Sequence, residues 1–128
     1  MPLLLDTHAF LWWIADDRRL SRRARAAIAQ RTDQCFVSLV SVWEMAIKTS
    51  LGKLTLAAPL ERFIPEQLTV NGFDLHPVEF AHVVRVSDLA FHHRDPFDRL
   101  LAAQALAEGL TIVSADPIFK RYGVKRVW

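Results

Sequence analysis

Apolar positions along this chain fall into short continuous runs separated by longer stretches at helical spacing. Residues 3–5 (LLL), 35–38 (CFVS), 73–76 (FDLH), 110–115 (LTIVSA) and 124–128 (VKRVW) have the length and continuity of buried strands. Between them the period changes. Phe10, Leu11 and Ile14 recur at helical spacing after Thr7, and Asp16-Asp17 break that helix. Ser21 caps a second helix, which sets Ala24, Ala27 and Ile28 on one face and most of its arginines on the other. The S-V-W-E run reads as a capping box, with Ser41 as the cap, Glu44 at the third helical position and Gly52 as the stop. Residues 60–70 form a helical pattern that Pro65 should break or divide. A further helix is expected over about 78–86, a long one from Asp95-Pro96 to Glu108 with Gly109 behind it, and a short one opened by Asp116-Pro117.

Strands that alternate with helices predict an α/β fold, a three-layer α/β/α sandwich around a mainly parallel sheet. Right-handed crossovers then bring the carboxyl ends of the strands to one edge. The length, 128 residues, fits a single domain over 1–128 with room for a core.

Composition adds three constraints. Hydrophobic residues make up 52% of the chain, so either both faces of the sheet are covered or some apolar surface meets a partner. Phe10, Leu11, Trp12, Trp13 and Ile14 form the densest such run, open to full burial or to a partner groove. The lone Cys35 lies in a strand-like run, which excludes an internal disulfide and fits a reducing compartment. No stretch has membrane length, and MPLLLD lacks the basic region of a signal peptide, so a cytoplasmic protein is expected. Net charge is only +2, yet Arg18, Arg19, Arg22, Arg23, Arg25 and Arg31 crowd one segment, as a solvated helix face or a phosphate-binding patch.

The candidate chemistry is carboxylate chemistry. Asp6 follows the first strand, Glu44 the second and Asp116 the fourth, while Asp98 stands in the first turn of the long helix. Each alone is explained by capping, which contributes about 0.3–1 kcal/mol through the helix dipole. Together Asp6, Glu44 and Asp116 would converge on the ligand-binding edge of a parallel sheet, and Asp98 joins them if its helix starts at the same edge. Crowded carboxylates repel, and a divalent cation with oxygen ligands, Mg²⁺ or Mn²⁺, relieves the conflict. In HHRDPFDRLL, Asp95 suits the cap, whereas Asp98 heads the apolar stripe Leu101, Ala102, Ala105 and is read mainly as a metal ligand. An acidic metal site without a Cys or His cluster points to phosphoryl chemistry on a nucleic-acid backbone.

These residues resemble a known family. LLLDTH, SVWEMAIK, HRDPFDRLLAAQA and IVSAD, in this order and across essentially the whole chain, resemble the four acidic motifs of the PIN-domain ribonucleases, and within them the VapC-like toxins of type II toxin–antitoxin pairs. The resemblance assigns Asp6, Glu44, Asp98 and Asp116 as the catalytic acids, with Asp95 a frequent companion of Asp98. It implies RNA cleavage dependent on Mg²⁺ or Mn²⁺, with Asp6, Asp98 and Asp116 on the metal. It also implies a homodimer and a small VapB-like antitoxin that lays an apolar tail over a groove. Thr7 and Ser114 are expected to support the acids, or else to bond locally. Arg94, Arg99 and Lys48 are candidate RNA contacts, with surface ion pairing as the alternative for Arg99 and Lys48. His92 and His93 could touch phosphate or be solvated. Two other readings stay open: a PIN-like module that binds RNA or antitoxin without cutting, and a phosphoacceptor domain.

Overall fold

The computed structural model describes residues 1–128. The strands are β1 (Leu3–Leu5), β2 (Cys35–Ser38), β3 (Asp74–His76), β4 (Thr111–Val113) and β5 (Arg126–Val127). They form one sheet in the order β3-β2-β1-β4-β5, and every neighbouring pair is parallel. The order reverses direction between β1 and β4, which makes their carboxyl ends the switch point where such sheets bind ligands. It also differs from the 2-1-3-4-5 order of receiver-type folds, against the phosphoacceptor reading. The last three strands are shorter than the apolar runs, because pairing ends where the chain turns into loops and caps.

The period of two along β1 divides the interior. Leu3 and Leu5 join Phe10, Ala24, Ile28, Val37 and Phe63 on one face, while Leu4 joins Leu101, Ala105, Ile112 and Phe119 on the other. The first face is covered by α1 (Thr7–Ile14), α2 (Arg22–Ala29) and α4 (Leu60–Asn71). The second is covered by α6 (Pro96–Glu108) and α7 (Ile118–Arg121), with α5 (Phe80–Val86) against α6. Together with α3 (Leu39–Ser50), these helices complete the expected three layers.

Two local expectations are overturned. α3 starts at Leu39, because the Ser38 hydroxyl accepts from the Val40 amide; Ser41 is buried inside the helix and caps nothing. Glu44 therefore lies in the second turn, where capping no longer accounts for it. Pro65 does not break α4. Its ring is exposed, so the carbonyl one turn back that loses its N–H can turn to water, and burial of Phe63 and Ile64 holds the helix. Elsewhere the punctuation acts as read: Ser21 caps α2 through Ala24, Asp95 caps α6, and Gly109 ends α6 with φ 65°, a conformation that favours glycine.

Candidate active site

Asp6 stands one residue beyond β1, at the cap of α1, where its Oδ1 accepts from the Ala9 amide at 2.8 Å. Asp116 stands beyond β4, its Oδ1 accepting from the Ile118 amide at 2.9 Å. Ser38 and α3 bring Glu44 in from β2, and the Asp95 cap sets the first turn of α6, which carries Asp98. Asp6, Glu44, Asp95, Asp98 and Asp116 all line one cleft of about 250 Å³, together with Thr7, His8, Lys48 and Ala115. The four core acids meet at the switch point, and α6 starts at the same place although it follows no strand directly.

Their electrostatics differ. Burial pushes the Asp6 carboxyl above its ordinary value, with Glu44 adding to the shift and hydrogen bonds from Ser114 and Ala9 opposing it. Burial also raises Asp98, to about 6; the charges of Asp95 and Asp6 add to the rise, and His93 opposes it. Glu44 is already compensated, its Oε1 accepting from Thr7 Oγ1 at 2.7 Å and its Oε2 from Lys48 Nζ at 2.5 Å. Lys48 is thus the one lysine or arginine lining the cleft, against five carboxylates. That oxygen-rich, under-compensated donor set fits a hard divalent cation held by Asp6, Asp98 and Asp116.

A pH dependence follows. For a carboxyl raised in the folded state, the stability contribution is full below the ordinary value and is lost as pH rises through the folded value. The metal-free protein should therefore lose stability through a window that ends near the Asp98 value of about 6. Mn²⁺ should raise the melting temperature clearly at about pH 7.5 and hardly at about pH 5, where protons compete for the same oxygens. Equal stabilisation at both pH values would contradict the site's electrostatics.

The supporting residues divide. Thr7 is buried on Glu44, and Ser114 Oγ accepts from the Asp116 amide while its hydroxyl lowers the Asp6 carboxyl against the effect of burial. Lys48 faces the cleft, and Arg94 is exposed on the preceding loop. Arg99 does not reach the cleft lining. It is 5% exposed, and its guanidinium donates to the carbonyls of Val86, Leu89 and Ala90 and to Tyr122 Oη, so it is a buried structural tie. The arginine cluster also splits: Arg19 and Arg25 pair with Asp17 and Asp16, and Arg31 binds the carbonyls of Ile28 and Asn71. Arg18, Arg22 and Arg23 remain solvated.

One residue escaped the sequence, and the apolar run at 10–14 proves to line a groove rather than to be wholly buried. His8 lines the cleft from the first turn of α1, signalled only by its place in LLLDTH. A groove of about 740 Å³ shares Thr7, His8 and Lys48 with the cleft and is walled by Leu11, Trp12, Ile14, Leu54, Leu56 and Phe63. Of the apolar run at 10–14, only Phe10 is fully buried, and three of the rest line this groove.

A second ligand-like group, His76, His82 and Glu108, lies outside the cleft, with donor atoms within 4.8 Å of one another. The Glu79 amide donates to His82 Nδ1 at 3.0 Å, which puts the ring proton on Nε2, 3.0 Å from Glu108 Oε1. A metal would need that nitrogen's lone pair, so the group ties β3, α5 and α6 together. Burial lowers the His76 imidazole, which keeps it neutral beside Glu108. Cys35 is buried, its thiol pushed up to about 12, and inert. No helix is long and apolar enough to cross a membrane.

Comparison with known proteins agrees with this geometry. The PIN domain family model matches residues 3–125. Ribonuclease VapC22 of Mycobacterium tuberculosis is 32% identical over 116 residues, which cover 89% of this chain and 86% of that protein. Among solved structures, VapBC2 of Rickettsia felis bound to a DNA fragment from its promoter superposes with a TM-score of 0.71 at 15% identity, covering 98% of this chain and 97% of the other. VapBC-1 of nontypeable Haemophilus influenzae gives 0.69 at 13% identity, over 98% and 96%. At such identities these two show the fold alone.

Proposed function

The chain belongs to the PIN domain family, and from that premise we propose that it is a metal-dependent endoribonuclease, the toxin of a cytoplasmic toxin–antitoxin pair. The observation that carries the proposal is the convergence of Asp6, Glu44, Asp98 and Asp116 in one cleft with a single lysine for compensation. A Mg²⁺ or Mn²⁺ ion on Asp6, Asp98 and Asp116 would supply a water of lowered pKa and a positive charge for the scissile phosphate.

The chain's own groups do the rest. The amide of Ala9 orients Asp6, and Ser114 steadies Asp6 and the Asp116 loop. Thr7 and Lys48 hold Glu44 in place as the fourth wall. Lys48 Nζ and the amino-terminal ends of α1 and α6 offer positive potential to an RNA backbone. Arg94, on the exposed loop beside Asp95, is placed to meet the same strand.

The test is direct. The purified chain should cut RNA with Mg²⁺ or Mn²⁺, stop with a chelator, and lose cleavage on Asp6→Asn, which keeps the cap because Asn also caps well. Tight RNA binding without cleavage, in the metal-loaded and partner-free protein, would favour the non-cleaving module instead.

The apolar groove is the place we assign to the antitoxin's tail. It opens onto the cleft through Thr7, His8 and Lys48, so a segment seated there would reach the acids. Leu56→Glu should weaken antitoxin binding about 10-fold or more, as a charge buried in an apolar contact does, and leave RNA cleavage within a few-fold. Calorimetry with the antitoxin and a cleavage assay check the two halves. The protein is expected to act as a homodimer.

A further inference from the structure

Asp98 is held by a chain of hydrogen bonds that enters from behind the cleft. Arg99 Nη1 donates to Tyr122 Oη at 3.1 Å, Tyr122 Oη lies 2.6 Å from His93 Nδ1, and His93 Nε2 lies 3.3 Å from Asp98 Oδ2. The carboxylate end sets the directions. An ionised Asp98 only accepts, so His93 Nε2 carries a proton, and in the neutral ring Nδ1 then accepts the phenol's proton while the Arg99 guanidinium donates to Tyr122 Oη. With Nδ1 accepting, the ring proton sits on Nε2 and faces the carboxylate.

The chain is anchored at both ends of one short segment. Arg99, the residue after Asp98, binds the carbonyls of Val86, Leu89 and Ala90 and lies over the Phe91 ring at 4.1 Å. It thereby fixes the loop that brings His93 back onto Asp98. His93 and Asp98 are only 22% and 24% exposed, so water competes weakly for the bond. Both ring nitrogens of His93 are engaged, which leaves neither for a substrate phosphate.

We propose that His93 is a positioning residue for Asp98: its Nε2–H, held in that tautomer by Tyr122 and Arg99, fixes the direction in which the carboxylate meets the metal. This rests on the cleft being a metal site. Groups that orient a ligand in this way typically change metal affinity 10- to 100-fold when removed.

The experiment is Mn²⁺ binding to the full chain, by electron paramagnetic resonance and calorimetry, with thermal melts as a separate check of folding. His93→Ala should bind Mn²⁺ about 10- to 100-fold more weakly than wild type. His93→Gln should recover most of that loss, because an amide N–H replaces Nε2–H; a merely structural role would not be restored in this way. Tyr122→Phe should weaken binding several-fold, since the tautomer is no longer enforced. If His93→Ala binds within twofold of wild type while Asp98→Asn has lost binding, the positioning role is overturned and the metal site stands. If Asp98→Asn binds as well as wild type, the metal site itself is wrong and the positioning role falls with it. Should His93→Ala fail to fold, Tyr122→Phe decides, and unchanged affinity there overturns the proposal.

Discussion

Asp98→Asn should abolish RNA cleavage and at the same time stabilise the metal-free protein. The two effects have one cause. Asp98 is half-buried, with Asp95 and Asp6 nearby, and its carboxyl is raised to about 6, so at neutral pH the folded chain holds a charge that it disfavours. Asparagine keeps the shape, leaves an oxygen for His93 and removes the charge. The gain should be about 1 kcal/mol, a rise in melting temperature of roughly 4 °C without metal. Cleavage should fall at least about 1000-fold, as expected when the group that fixes a catalytic metal's charge is removed. With Mn²⁺ present the order of stabilities should reverse, because only wild type gains from binding. Melting curves with and without Mn²⁺, alongside a cleavage assay, read all three. A variant that loses activity and is destabilised without metal would mean that Asp98 is structural rather than a strained ligand.

Arg99→Ala should be among the most destabilising single changes in the chain, at about 3 kcal/mol or more. The guanidinium is 5% exposed and satisfies carbonyls from Val86, Leu89 and Ala90 as well as the Tyr122 hydroxyl. Its removal takes the side-chain donor from all of these oxygens, leaves the Leu89 carbonyl without one, and opens space beneath Phe91 and Tyr122. Arg99→Lys should recover little, because one ammonium cannot reproduce the planar fork. Denaturant unfolding measures the loss. A cost under about 0.5 kcal/mol would place Arg99 with ordinary surface arginines and reopen its reading as an RNA contact.

These two neighbours show what sequence alone could settle. Strands and helices were legible because burial is periodic: β1 alternates its leucines between two cores, and α6 carries an apolar stripe behind Asp98. Caps were legible where the cap and its amide lie two or three residues apart, as at Ser21 and Asp95. The convergence of Asp6, Glu44 and Asp116 was legible too, because parallel strands and right-handed crossovers leave few places for residues that follow strands, whereas that of Asp98 hung on where α6 starts. At Ser41 and Glu44 the same local logic failed. A capping box was present in letters, but Ser38 lay closer to the strand end and took the role, and burial of Ser41 closed the alternative.

Only the tertiary structure separated Arg99 from Lys48, or gave His93 a partner. Both basic residues stand beside motif acids, yet helix rotation turns Lys48 into the cleft and Arg99 into the protein. Tyr122 meets His93 across 29 residues of sequence, and Ser38 meets Gln104 across 66. No periodicity reports such pairs, because they are set by how helices pack on the sheet. The sequence by itself determined which residues could carry the chemistry, since residue type and spacing are local properties. Which of them face one another was decided by packing, which fixes direction and distance between segments that are remote along the chain.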